Sequence, residues 1–102
     1  VALTSHLGQL VSTALGAALE KRFRDQSGAL SLAGQGLLDM TRLAMSPYEM
    51  WEGILKTNEA HINHALDDLI AELQTLRGEL AVEAPRHVFQ RGNALARQAR
   101  ES

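Results

Sequence analysis

The chain has 102 residues, 45% of them hydrophobic and 22% charged, with a formal net charge of −2. That length suits one domain, and the charge balance gives no reason to expect a nucleic acid or an anionic membrane as partner. The lack of cysteine excludes a disulfide scaffold, thiolate zinc sites and thiol catalysis.

One Trp, one Tyr and two Phe leave a core to be built mainly from Leu, Ala, Ile, Val and Met. No basic start leads into an apolar h-region, and no apolar run approaches membrane-spanning length, which fits a cytoplasmic protein. The chain opens at Val1 within a helical pattern and reads as a fragment of a longer one.

Four helical segments can be read, and no strand, so the fold class is all-α. The first runs from about Ala2 to Arg24. Leu3, Leu7, Leu10, Val11 and Ala14 form its apolar stripe at i, i+4, i+7, i+8 and i+11. His6, Gln9 and Thr13 lie beside that stripe, an unusual polar row for a core-facing helix. Gln26, Ser27 and Gly28 end the segment. A short second helix is expected from about Leu37 to Met45, after "SLAGQG".

The third start carries the clearest local signal. "SPYE" places Ser46 at an N-cap, Pro47 at the first helical position and Glu49 at the third, a capping box. From there Met50, Trp51, Ile54, Leu55, Ile62, Leu66, Leu69, Leu73, Leu76 and Leu80 hold one face to about residue 80. Asn58 is the one polar residue in that row. Some 30 residues at about 1.5 Å each give a rod of roughly 50 Å. A 100-residue domain has a radius of gyration of only about 13 Å, so this rod calls for a second copy of itself. The expectation is an isologous, all-helical dimer. A basic, weakly amphipathic fourth segment, Arg86 to Arg100, follows Pro85 and is expected to dock loosely or fray.

His61 and His64 at i, i+3, with Asp68 beyond, have a spacing that can serve a divalent metal. On a helical wheel they sit on the flank and back of the apolar face, so they read as solvated side chains and no metal is expected. "GQG" at 34–36 lacks a preceding strand and a third glycine, which removes the nucleotide reading. It reads instead as a loop that needs positive φ or close backbone approach.

Asp39 and Arg42, at i, i+3, have two readings. Spacing alone favours a local ion pair. The other reading has Arg42 offering its planar fork to a substrate carboxylate, with Asp39 holding the guanidinium in place.

Taken together, "LTSHLGQLVSTAL", "GQGLLDMTRLAMSPYEMW" and "ILKTNEAHINHALDDLIAEL" resemble the C-terminal helical domain of the prephenate/arogenate dehydrogenases, a fold of the 6-phosphogluconate dehydrogenase C-terminal kind. The resemblance covers about residues 1–80, with the blocks in the same order. It implies a single helical domain over 1–102 that dimerises and supplies part of the substrate site. An N-terminal Rossmann domain, absent from this chain, would bind NAD or NADP and carry the catalytic base. The implied reaction is oxidative decarboxylation of prephenate or arogenate in tyrosine biosynthesis, driven by aromatisation of the ring. The chain alone is then inactive, with no catalytic and no cofactor-binding residue of its own.

Carried over position by position, Arg42 matches the arginine that binds the ring carboxylate. Gly36, Asp39 and Thr41 match its neighbours in that block. Trp51 matches the tryptophan that helps close the site, and His6 the first histidine of the family's Ser-His-Leu-Pro-His motif. Gly8 stands where that motif has proline. Gln9 stands where it has its second histidine, which reaches the substrate side chain. Glutamine cannot become cationic, which favours an amino-acid side chain, as in arogenate, over a keto acid. The alternative is a helical dimerisation or interaction module with no catalytic role.

Overall fold

The computed structural model describes residues 2–24, 34–82 and 85–101, with the side chains of Ala2 and Leu3 left aside. Every regular element among them is helical: α1 (Ala2–Phe23), α2 (Gln35–Met40), a 3₁₀ turn (Arg42–Met45), α3 (Tyr48–Thr57), α4 (Glu59–Val82) and α5 (Arg86–Glu101). The all-α expectation holds. Contacts gather the chain into two units, Val1–Ala65 and Leu66–Ser102.

In the first unit, α1 runs its 22 residues without a break at Gly8. Lys21 and Arg22 sit in its last turn, where positive charge complements the helix dipole. Arg24 reaches back to Glu20, the 2.6 Å pair adding an i, i+4 tie on the surface. The expected break at Gln26, Ser27 and Gly28 lies outside the described residues.

The second segment departs from expectation. α2 starts at Gln35, two residues early, and yields at Thr41 to the 3₁₀ turn. Thr41 takes φ −103° and ψ 5°, and its hydroxyl donates to the Leu37 carbonyl at 2.7 Å. Such back-bonding from a short polar side chain competes with regular helix. Downstream, the ring of Pro47 disfavours a helical residue before it, and Ser46 is accordingly extended.

Pro47 is itself extended, at φ −74° and ψ 145°, and takes the cap position with no side-chain cap bond. The capping box expected from Ser46 and Glu49 therefore does not form. Helix begins one residue later, at Tyr48, and the Met50 amide donates to the Pro47 carbonyl at 3.2 Å.

The single long rod is also corrected. Asn58 leaves helical geometry at φ −109° and ψ 23°, dividing the segment into a ten-residue α3 and a 24-residue α4. Its side-chain amide donates to the Ile54 carbonyl at 3.3 Å, beside its own backbone bond to the same oxygen at 3.1 Å. Asparagine competes with the helix ladder in this way, and here the competition wins. At about 1.5 Å per residue, α4 alone spans roughly 36 Å.

In the second unit, the latter part of α4 and α5 are joined by Arg91. Its guanidinium holds both carboxylate oxygens of Glu72, at 2.6 and 2.8 Å. α5 is helical to Glu101 and does not fray.

The core is thin. Among the described residues only Ile62 and Ala65 are buried apolar side chains, and both lie in the first unit. The other two buried residues are polar: Gln9 and Ser12.

Candidate functional site

The polar row on α1 finds its partners in the first unit. Gln9 is only 5% exposed, and its side-chain amide donates to the Leu43 carbonyl at 2.7 Å and to the Thr13 hydroxyl at 3.1 Å. Ser12, 3% exposed, accepts the Ala44 amide at 3.0 Å. The carbonyl and the N–H of the single Leu43–Ala44 peptide group are thus both bonded to one face of α1. Within the turn the same Ala44 N–H also donates to the Thr41 carbonyl at 3.0 Å, and the Leu43 carbonyl also accepts the Ser46 amide at 3.1 Å, so α1 supplies second partners.

Small residues let the turn approach. A Cβ on Gly8 would lie 3.8 Å from the Leu43 side chain, and one on Gly16 would lie 3.6 Å from the Ala44 Cβ. Gly8, Ser12 and Gly16 stand at i, i+4 and i+8, so they form one strip of low relief along the helix. Neither the strip nor Ser12 follows from the apolar pattern. The signal that marks them is the repeat of small residues every four positions.

One turn earlier on α1, the His6 ring meets the Trp51 ring edge to face, with centroids 5.6 Å apart and planes at 88°. This is a favoured geometry for a pair of aromatic rings. Residues 6 and 9 are neighbours on the helix surface. A single stretch of α1 therefore holds both α3, through Trp51, and the turn that carries Arg42.

Arg42 is exposed, and its side chain enters no ion pair or hydrogen bond among the described residues. The local ion pair expected between Asp39 and Arg42 is absent. Asp39 instead accepts the Gln35 side-chain amide at 2.9 Å, one turn back on α2. The i, i+4 partner within α2 is well placed, whereas Arg42 lies beyond the break at Thr41.

Gly36 is exposed within α2, and a Cβ there would meet nothing within 4 Å. Gly34 is extended at φ −88° and ψ 179°, and no described glycine has positive φ. The reading of "GQG" as a positive-φ or close-approach loop is corrected: these glycines start a helix. Thr41 faces an open groove of about 370 Å³ between α1 and α2, whose apolar walls are Leu19, Phe23 and Leu37. None of His6, Gln9, Arg42 or Trp51 lines it.

His61 and His64 are exposed on α4. Among the described residues no three His, Cys, Asp or Glu side chains come together as a metal-binding set. No described helix is long and apolar enough to cross a membrane.

A family model described as the prephenate dehydrogenase dimerization domain matches residues 1–91. The chain belongs to that family. The match runs past the motif blocks, which end near residue 80, and takes in the first turns of α5. Prephenate dehydrogenases are oxidoreductases, and this chain carries their dimerization domain. No solved structure matches it.

Proposed function

We propose that this chain is the dimerising and substrate-clamping part of a prephenate or arogenate dehydrogenase, with Arg42 as the group that receives the ring carboxylate. One observation carries the reading. One stretch of α1 holds both the turn that carries Arg42 and Trp51, and the Arg42 fork has no ion pair or hydrogen bond among the described residues. A guanidinium held at its base and free at its tip suits bidentate recognition of a planar anion. The His6–Trp51 pair offers an aromatic wall of the kind a cyclohexadienol ring packs against.

The described residues include no strand and no glycine-rich phosphate turn, since Gly34 and Gly36 open a six-residue helix. They do not fit a nicotinamide dinucleotide. In this reading NAD or NADP belongs to a separate cofactor domain, and the present residues act on the substrate alone.

The reading includes a homodimer formed through the exposed apolar residues of α4 and α5. Ile70, Leu73, Leu80 and Phe89 are each at least half exposed in one copy. Exposed apolar surface on this scale marks a protein interface. The domain description of the matched family supports the same partner.

Arg42→Lys in the full-length enzyme tests the site. A lysine ammonium keeps the charge but loses the two parallel hydrogen bonds. Substrate binding is expected to weaken by roughly 2–4 kcal/mol, the scale for a desolvated charge that loses its partner. Cofactor affinity and melting temperature should stay nearly unchanged. Unaltered substrate KM in Arg42→Lys would remove Arg42 from the site and leave the alternative, a non-catalytic dimerisation module.

A further inference from the structure

We infer that Ser12 and Gln9 are positioning residues, which set the substrate-facing attitude of Arg42 by gripping the backbone of its turn. The inference rests on the reading of Arg42 as the carboxylate clamp. Ser12 lies within the first resembling block, but the position-by-position comparison gives it no role, and it gives Gln9 a different task, contact with the substrate side chain. The geometry assigns that side chain elsewhere. Its Nε2 donates to Leu43 and to Thr13, and the residue is 5% exposed, so its donors face the protein.

The argument is one of leverage. Arg42 is the first residue of a four-residue turn, and the next two residues supply the bonded groups, the Leu43 carbonyl and the Ala44 amide. Both bonds come from side chains nearly sealed from water, and each is a second bond to a backbone group already paired within the turn. Gly8 and Gly16 flank Ser12 by one helical turn each, and a Cβ added at either would come into ordinary contact with Leu43 or Ala44. The turn is thus held against α1 by two directional bonds. Among the described residues the Arg42 side chain adds no bond of its own, so its placement depends on the backbone of its turn. A clamp residue displaced by an ångström loses much of its effect on a bound substrate.

Three variants of the full-length enzyme test this: Ser12→Ala, Arg42→Lys and the double mutant, with Gln9→Met as a second probe of the grip. Substrate KM, cofactor KM and amide exchange at Ala44 are measured in each. If Ser12 acts through Arg42, Ser12→Ala raises substrate KM about tenfold on the loss of one sheltered bond. It leaves cofactor KM unchanged and speeds exchange at the Ala44 amide. In the Arg42→Lys background it adds almost nothing, because the two residues act as one unit.

An equal rise in both backgrounds would mean a general structural role and overturns the inference. A rise in Arg42→Lys alone, with none in Ser12→Ala or Gln9→Met, also overturns it while leaving the proposed function standing. No rise in Arg42→Lys removes the proposed function, and the positioning role falls with it.

Discussion

In the first unit α1 grips the 3₁₀ turn through two buried polar side chains, whereas in the second unit α4 and α5 meet through an ion pair open to water. Gln9 and Ser12 are nearly sealed, and each adds a second partner to a backbone group of the turn that also bonds within the turn. Arg91 and Glu72 form a well-made fork, with both side chains about half exposed. Desolvated bonds set geometry because nothing can replace them, while exposed pairs are exchanged with water and screened by salt.

The contrast extends to apolar packing. All four buried described residues belong to the first unit and none to the second. A unit whose described residues include no buried side chain has little to offset the entropy of ordering it. The buried geometry among the described residues thus lies in the first unit, and in the second several large apolar side chains, such as Leu73 and Leu80, are exposed.

The largest expected effect breaks the second unit's dependence on that partner. Leu73 is 55% exposed in one copy and stands on the proposed dimer face. Leu73→Asp places an uncompensated charge in the seam, at a cost on the order of 3 kcal/mol or more per site. Sedimentation equilibrium at micromolar concentration should fall from twice the chain mass to the chain mass, or the protein should unfold. A Leu73→Asp protein that stays dimeric with its melting temperature intact would place the seam elsewhere.

A smaller effect is expected from breaking the first unit's grip. Gln9→Glu removes the donor to Leu43 and turns an oxygen toward that carbonyl, which should cost roughly 2 kcal/mol. Thermal unfolding measures the loss, and it should appear without any change in oligomeric state. If Gln9→Glu dissociates the dimer while leaving each chain as stable as before, the division of labour between the two units is wrong.

The smallest effect concerns the ion pair. The hydrogen bonds from Arg91, with its charge, hold the Glu72 carboxyl below its ordinary pKa of 4.5, against a weaker opposing pull from desolvation. A lowered folded-state pKa means that the pair's contribution is present above the unfolded value and is lost as pH falls through the folded one. Amide protection in α5 should therefore persist at neutral pH, decline as the medium turns acidic below 4.5, and decline also in high salt at neutral pH. Glu72→Gln should remove the pH dependence in that range. Protection that ignores both pH and salt would show that apolar contact, and not the pair, docks α5.

The helical class, the reach of α1 and the start of a helix near Pro47 were legible because their signals are local. Apolar spacing, a proline and the charge of a last turn act within a few residues of themselves. The motif blocks likewise pointed to the family that the match over 1–91 establishes. The same local logic failed at Ser46, where the cap moved one residue on to Pro47. It failed too at Asn58, where one side chain competing for the Ile54 carbonyl split a rod that the apolar row had read as continuous.

What the tertiary structure alone decided is which face of α1 is buried. The leucine stripe pointed to Leu7, Leu10 and Val11, yet these are only half-buried, and the sealed residues are Gln9 and Ser12. Their partners stand 34 and 32 positions away along the chain. A polar side chain is buried only where a distant backbone brings it a hydrogen-bond partner, and no periodicity within α1 carries that information.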